Sequence, residues 1–171
     1  ITAEGIEFAT MNYKRQRAGV SEGLLPDGSA KRTKFTRGAT PGAPNIVPDF
    51  DGPRLNELLA FNRSGAGDWV EIYNATDKSV SLDGVRLARS ANGSGWLFPA
   101  GTRLAKGGYL VVLCAGNRPA SSTNTGFSLP ADGGGLFLID PDGFVANSVE
   151  YGFQIADQTN GQSAGKWRLL N

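Results

Sequence analysis

The chain has 171 residues, of which 40% are hydrophobic and 19% are charged. This size and composition are typical of one globular domain with its own core and exclude a wholly disordered protein. The formal net charge of +1 predicts no strong general attraction to nucleic acid or to anionic membranes.

Two residue counts exclude much of enzyme chemistry. The chain has no histidine, which excludes Ser-His-Asp triads, Cys-His dyads and most zinc sites. Its single cysteine, Cys114, excludes an intramolecular disulfide and a thiolate metal cluster, and we expect it to be a small buried hydrophobic residue. The sequence implies no cofactor, and no apolar stretch is long enough to span a membrane.

The first part of the chain, residues 1–45, is basic, with seven Lys and Arg against four Asp and Glu. The basic residues are Lys14, Arg15, Arg17, Lys31, Arg32, Lys34 and Arg37. Together with the interleaved Tyr13 and Phe35, this patch could bind the phosphates and bases of a nucleic acid. The simpler interpretation is a solvated arm, or a strand edge that Lys and Arg protect from pairing.

Residues 1–45 also resemble the end of the chain, as a truncated repeat would. Ile6-Glu-Phe8 resembles Val149-Glu-Tyr151, Ser21-Glu-Gly23 resembles Thr159-Asn-Gly161, and Lys34-Phe-Thr-Arg37 falls where Trp167-Arg-Leu-Leu170 would lie, with spacings that differ by about five residues. We therefore interpret this part as the C-terminal remnant of a preceding copy of the same module, plus a linker.

The rest of the chain divides into a Pro/Gly-rich linker, residues 46–52, and a domain, residues 53–171. Because the chain starts at Ile1 without Met or a signal segment, we expect it to be a fragment or a processed product of a longer protein. The 24 glycines and 9 prolines predict many tight turns between short strands, as in all-β domains.

Strand candidates follow one another through this domain, with turn signals about every ten residues, as in a β-sandwich. Alternating patterns and short apolar runs predict strands at residues 55–61, 68–73, 80–82, 85–87, 95–98, 109–114, 136–139, 145–151 and 167–170. Residues 109–114 are continuously apolar, which predicts a central strand covered on both faces. We expect almost no α-helix, although residues 55–61 could instead form a helical turn.

Seven segments of the domain, in their order along the chain, resemble those of a known family. They are Leu55-Asn-Glu-Leu-Leu59, Asp68-Trp-Val-Glu-Ile-Tyr-Asn74, Val80-Ser-Leu-Asp-Gly84, Trp96-Leu-Phe-Pro-Ala-Gly101, Gly107-Gly-Tyr-Leu-Val-Val112, Phe127-Ser-Leu-Pro-Ala-Asp-Gly133 and Leu136-Phe-Leu-Ile-Asp-Pro-Asp-Gly143. In this order they resemble the bacterial lamin tail domain over roughly residues 53–170. Residues 18–45 look like the C-terminal stretch and exit linker of such a module.

The resemblance implies an all-β, immunoglobulin-like β-sandwich. Bacterial members of this family usually belong to exported, multi-domain proteins, beside hydrolase-like or adhesion-like modules, and in animal lamins the domain binds proteins and DNA. The family is not known for catalysis. The matching segments form the strand framework, so the resemblance transfers no binding residues.

Carboxylates are the remaining candidates for chemistry. Glu57, Glu71 and Glu150 lie on predicted strands and could face one cleft as the acid pair of a glycoside hydrolase, although strand alternation also places glutamates in solvent. The sequence Asp140-Pro-Asp-Gly143 predicts a turn, because it lacks the ligand spacing and terminal Glu of a calcium loop. A surface calcium site shared with Asp132 stays open.

Three tryptophans, Trp69, Trp96 and Trp167, could stack on a sugar ring if they were exposed and coplanar. Trp69 and Trp96 fall at framework positions of the resembled family, so we expect them to pack in the core, whereas Trp167 near the chain end could be more exposed.

We expect a non-catalytic interaction module of a larger exported bacterial protein, located outside the cell or on its surface. Protein partners or neighbouring domains of the same polypeptide would contact the Ser/Gly/Asn-rich loops at residues 89–95 and 117–126, or a strand edge. We also predict that residues 1–45 pair as strands with residues 53–171 of the same or another copy, which would permit oligomers by strand exchange. The alternatives are a carbohydrate-binding or glycoside-processing sandwich, and a nucleic-acid binder that uses the basic arm.

Overall fold

A computed structural model describes residues 10–13, 20–25, 27–29, 32–35, 39–45 and 52–170. This part of the chain contains no helix, and therefore none that could cross a membrane. Its thirteen strands are β1 (Ser21–Leu24), β2 (Arg32–Phe35), β3 (Pro53–Leu59), β4 (Asp68–Asn74), β5 (Val80–Ser81), β6 (Arg86–Ala88), β7 (Trp96–Leu97), β8 (Arg103–Leu104), β9 (Tyr109–Cys114), β10 (Gly134–Ile139), β11 (Val145–Tyr151), β12 (Thr159–Ser163) and β13 (Lys166–Leu170).

Two antiparallel sheets form the sandwich. The five-stranded sheet has the order β13-β12-β3-β4-β9, and the four-stranded sheet has the order β11-β10-β6-β7. Two smaller sheets pair β1 with β2 and β5 with β8. The predicted all-β, immunoglobulin-like β-sandwich is therefore confirmed.

The core lies between the facing sides of the two sheets. Leu58, Val70 and Val112 of the five-stranded sheet meet Leu136 and Leu138 of the four-stranded sheet, and each of them is at most 2% exposed. Burial of such side chains stabilises the fold by about 1.5–3 kcal/mol each. The period-2 alternation of their strands gives the core its inward rows of residues.

The predicted strands all have counterparts in the structure, with shifted ends. Residues 55–61 form a strand rather than a helical turn, since β3 runs over Pro53–Leu59 with a bulge between Leu55 and Glu57. Strands β8 and β12 were not predicted, because both are polar and lack the apolar alternation that marks a strand.

The prediction that residues 109–114 are covered on both faces is wrong. β9 is the last strand of its sheet, and Tyr109 and Val111 on its outer face are 59% and 50% exposed. The strand that is buried on both faces is β10, which lies between β11 and β6.

The N-terminal strands form a hairpin that packs on the sandwich. In the described part of residues 1–45, β1 pairs only with β2. The predicted strand pairing with residues 53–171 of the same copy is therefore wrong for these residues, and pairing with another copy stays a prediction. Instead, Leu25 and Phe35 pack face-on against Phe137 of β10 and its neighbours. The assignment of residues 1–45 to a preceding module stays a prediction.

Four connections meet at one end of the sandwich, which we call the loop end. They are residues 60–67, 89–95, 115–133 and 152–158. Backbone hydrogen bonds from Asp157 N to Phe61 O (2.8 Å) and from Gln154 N to Ala131 O (2.7 Å) join them. Loops held on a rigid sandwich in this way are a common place for binding residues.

Candidate functional site

A cleft of about 570 Å³ opens at the loop end. Its origin is a mismatch between two strands: β6 pairs with β10 only from Phe137 onward, whereas β10 already pairs with β11 from Gly134. Residues 89–95 turn away from β10 at this point. The space left between this loop, the start of β10 and residues 125–130 is the cleft.

Glycines line the cleft at the start of β10 and in the facing loop. A Cβ atom on Gly135 would lie 2.7 Å from Cε2 of Phe137, and one on Gly95 would lie 2.7 Å from the carbonyl oxygen of Leu87. Gly95 also has a φ of 63°, which side-chain-bearing residues adopt at a cost. The protein's own atoms therefore exclude a side chain at these two positions, and glycine backbone lines the cleft there.

Arg89 supplies the charge at the rim. Its guanidinium carbon lies 5.3 Å from the centroid of the Phe127 ring, in the range of a cation–π interaction. Its Nη1 donates a long hydrogen bond to the carbonyl oxygen of Ser128, 3.4 Å away. Within the described part of the chain no carboxylate forms an ion pair with Arg89, so its positive charge is available to a ligand.

The wall that carries Phe127 is held by Asn124. The Asn124 side chain is 4% exposed; its Oδ1 accepts from the backbone N of Ala115 (2.9 Å), and its Nδ2 donates to the carbonyl oxygens of Ala115 and Pro119. Nε1 of Trp96 donates to the carbonyl oxygen of Ser121, 2.8 Å away. These bonds fix the loop before any ligand binds, which lowers the entropic cost of binding.

Below the glycines lies an unpaired phenol. Tyr151 is 7% exposed, and its hydroxyl is the one buried side-chain polar atom in the described residues that has no hydrogen-bond partner. A Cβ on Gly134 would lie 3.1 Å from this hydroxyl. Burial raises the pKa of Tyr151, so the phenol stays protonated at neutral pH and has no role as a base there.

The predicted basic patch is only partly described by the structure. Arg32 and Lys34 lie on β2, where Lys34 is exposed and Arg32 is half-buried with Nη1 donating to the carbonyl oxygen of Asn12. The remaining five residues, Lys14, Arg15, Arg17, Lys31 and Arg37, lie outside the described residues. The patch stays a prediction.

The structure brings together two of the three candidate glutamates. Glu57 and Glu71 are direct cross-strand partners of β3 and β4, and Glu71 Oε1 accepts from Asn56 Nδ2 at 2.7 Å. Glu150 lies on β11 of the other sheet. Neither Glu57 nor Glu71 lines the loop-end cleft, so this pair is not part of that site.

The positions of Asp132 and Asp140 exclude the shared calcium site that the sequence left open. Asp132 lies before β10 at the loop end, whereas Asp140 follows β10 at the opposite end. A six-residue strand separates them by about 20 Å. Asp140 instead closes a turn, because its Oδ1 accepts from Phe144 N at 2.8 Å. Among the described residues no group of three metal-ligating side chains occurs.

The burial of the three tryptophans was predicted only in part. Trp96 is buried, as expected, and lies edge-on to Phe98 with ring centroids 4.8 Å apart. The expectation that Trp69 packs in the core is wrong, because it is half-buried and alternates with the core residues Val70 and Ile72. Trp167 is also half-buried and packs against the core.

A stacked aromatic pair was missed by the sequence analysis. Tyr73 and Tyr109 stack on the outer face of the five-stranded sheet, with centroids 4.7 Å apart. The signal that could have found the pair is the register of β4 and β9, which sets these residues directly opposite each other. Each ring covers a face of the other, so the two do not form the flat, side-by-side platform that sugar stacking would require.

Two packed antiparallel sheets define an immunoglobulin-like β-sandwich, and its loop end carries a cleft. A family model for the Lamin Tail Domain matches residues 51–153, which is more than half of the chain. The chain therefore belongs to the lamin tail domain family, whose members are generally non-catalytic. Searches of curated proteins and of solved structures found no match.

Proposed function

We propose that this lamin tail domain is a non-catalytic interaction module of a larger, exported, multi-domain bacterial protein, and that it binds a protein partner in the loop-end cleft. The family membership supports the first part of the proposal. The cleft supports the second part, because a glycine-lined recess lies beside Arg89, which has no ion pair with any described carboxylate.

The ligand that fits this cleft is an extended peptide segment with a carboxylate. Within β10, residues 134–136 have no strand partner on the side where β6 pairs with residues 137–139. An extended peptide backbone can add to such an edge. The glycines admit the backbone, and the hydroxyls of Ser90, Ser94 and Thr125 line the same recess. Arg89, held on Phe127, supplies the charge that would bind an Asp, Glu or C-terminal carboxylate.

A peptide selection tests this proposal. A phage-displayed library of random ten-residue peptides is selected on the full chain, and the affinities of the enriched peptides are measured by calorimetry. We expect acidic sequences whose affinity falls about tenfold or more in Arg89→Glu, because a charge-assisted hydrogen bond is replaced by repulsion. The matched control is Arg103→Glu, an exposed arginine of β8 at the opposite end, which should leave the affinity unchanged.

Two results would contradict the proposal: no enriched peptide, or enriched peptides that bind Arg89→Glu as tightly as the parent. The exported location is tested separately, by fractionating the cells that make the protein. We expect the protein in the secreted or surface fraction, and its confinement to the cytoplasm would refute that part.

A further inference from the structure

The outer face of the four-stranded sheet is apolar and is covered by the N-terminal hairpin β1–β2. Phe137 and Ile139 alternate with the core residues of β10 and point away from the core, yet they are 0% and 1% exposed. They form a second buried cluster, which contains Leu25, Phe35, Ala88, Ala91, Phe137, Ile139 and Val145. Without the hairpin this face would be a contiguous apolar patch, which folded monomers rarely expose.

The hairpin contacts this face in a defined orientation. On β2, Thr33 and Phe35 face the sheet and are 3% and 7% exposed, whereas Lys34 between them is exposed. Nδ2 of Asn92 donates a hydrogen bond to the carbonyl oxygen of Arg32. Side-chain packing and a polar contact together fix the position of the hairpin, as in a specific interface.

The C-terminal hairpin β12–β13 has the same construction. A Cβ on Gly23 of β1 would lie 3.4 Å from Cε2 of Phe35, and one on Gly161 of β12 would lie 2.5 Å from Cδ1 of Leu170. The cross-strand partner of Gly23 is Thr33, two positions before Phe35. The cross-strand partner of Gly161 is Arg168, two positions before Leu170. In both, therefore, one large apolar side chain crosses the face of the glycine.

The structure corrects and extends the repeat seen in the sequence. Gly23 and its cross-strand partner Thr33 are ten residues apart, and Gly161 and its partner Arg168 are seven apart, so the paired positions differ in spacing by three residues rather than five. With the glycines aligned, Arg32 corresponds to Trp167, rather than Lys34 as the sequence suggested. Phe35, which docks on the sheet, then corresponds to Leu170.

In the sandwich, β12–β13 is the edge of the five-stranded sheet, where β12 pairs with β3. Gly161 and Leu170 lie on the outer face there, because a Cβ on Gly161 would also lie 3.4 Å from Cγ of Glu57. The residue that corresponds to Phe35 is thus placed to contact a second module without leaving its own sheet.

We propose that the outer face of the four-stranded sheet is a docking face for the terminal hairpin of another lamin tail module. The hairpin β1–β2 occupies this face here, and β12–β13 is the same element for a further copy. Consecutive modules are then held hairpin-on-sheet, in addition to the linker between them. This inference goes beyond the proposed function and does not depend on the cleft.

The first test asks whether the hairpin covers the face in solution. Ala91 lies under the hairpin and is 5% exposed, so the full chain is made with Ala91→Cys and the thiol is labelled with a maleimide. Adding Phe35→Asp should speed labelling roughly tenfold or more, because the locally open state becomes populated. Adding Lys34→Asp, on the exposed side of the same strand, should leave the rate unchanged.

Cys114, which is 0% exposed, reports global unfolding in the same experiment. If Cys114 also labels rapidly in Phe35→Asp, the milder Phe35→Ala replaces it. Equal labelling of residue 91 in the folded parent and the folded Phe35 variant would overturn the docking.

The second test asks whether the C-terminal hairpin is a competent donor. The two strands of β1–β2 receive the aligned residues of β12–β13 through Ser21→Thr, Glu22→Asn, Leu24→Gln, Arg32→Trp, Lys34→Leu and Phe35→Leu. Thr33 is kept, because it faces the sheet at 3% exposure and the aligned arginine would bury an unpaired charge there. We expect Ala91→Cys to stay protected in this chain, and to become labelled when Phe35→Asp replaces Phe35→Leu. Labelling of the exchanged hairpin as fast as that of Phe35→Asp alone would overturn the proposal. The peptide test uses the unaltered hairpin, so the two proposals fail separately.

Discussion

Strands β9 and β10 have similar apolar sequences and different surroundings. Residues 109–114 form the more continuous apolar run, yet Tyr109 and Val111 are 59% and 50% exposed. In β10, residues 135–139 are all buried, although the strand begins with two glycines. The difference comes from what covers the outer faces: the β1–β2 hairpin lies on β10, and no described element lies on the corresponding part of β9.

The inner and outer faces of an apolar strand contribute to stability in different ways. The inner residues of both strands belong to one core and contribute in the same way. The outer residues of β10 gain stability only because a second element covers them, whereas those of β9 remain in solvent. An uncovered apolar face is a site of association, so the cover over β10 is also what keeps that face from pairing with other molecules.

The largest expected effect comes from removing an outer-face residue of β10. Phe137→Ala should lower the free energy of unfolding by about 3–5 kcal/mol, because a fully buried aromatic side chain is replaced by a cavity. The matched change on β9 is Val111→Ala, where the half-exposed side chain should cost about 0.5 kcal/mol or less. Urea denaturation of the full chain measures both. Equal losses in the two variants would show that the hairpin does not cover β10 in solution.

A smaller effect should distinguish the two faces of β9 itself. Cys114 ends this strand on its buried side, and burial raises the pKa of the thiol from 9.0 to about 12. The unfolded chain loses this proton near the ordinary value, so between about pH 9 and pH 12 the folded state binds more protons. Stability should therefore be unaffected below pH 9 and fall above it by about 1.4 kcal/mol per pH unit.

The variant Cys114→Ala isolates this contribution, because tyrosines and lysines titrate in both proteins. The difference in unfolding free energy between the parent and Cys114→Ala should shrink as the pH rises from 9 to 11. Parallel curves over that range would mean that the thiolate is solvated in the folded state, and hence that the inner face of β9 is open to water.

The sequence predicted the strands well and their neighbours poorly. Periodicity located nearly every strand of the sandwich, because the alternation of burial is a local property of the sequence, as in Asp68–Asn74. It placed the doubly covered strand at residues 109–114, since an apolar run does not show which neighbours it will have. The cover over β10 comes from Leu25 and Phe35, about a hundred residues earlier in the chain, and no local pattern carries that information.

The candidate site was predicted in outline. The loops at residues 89–95 and 117–126 were expected to bind, and the first of them forms one wall of the cleft. Sequence reasoning did not single out Arg89, Phe127 or the glycines at residues 133–135 as a unit. Their proximity depends on where β6 leaves β10, which is a property of strand register.

The docked hairpin and the cleft share one loop. Ala91 packs against the hairpin and Asn92 bonds to it, whereas Arg89 and Ser90 on the same loop line the cleft. Docking of the hairpin therefore restricts the loop that carries the binding arginine. We expect a module whose hairpin is released to bind a cleft ligand more weakly, because the cost of ordering the loop returns.

The smallest expected effect concerns the phenol that faces the start of β10. Tyr151 is 7% exposed and its hydroxyl has no partner within the described residues, whereas Tyr109 on β9 is 59% exposed and stacks on Tyr73. A buried polar group without a hydrogen bond costs about 1–3 kcal/mol, so Tyr151→Phe should raise the free energy of unfolding by about 1 kcal/mol. Tyr109→Phe, with its hydroxyl in water, should leave it unchanged. A loss of stability in Tyr151→Phe would show that the hydroxyl is hydrogen-bonded in solution, and that water reaches the part of the core beneath the start of β10.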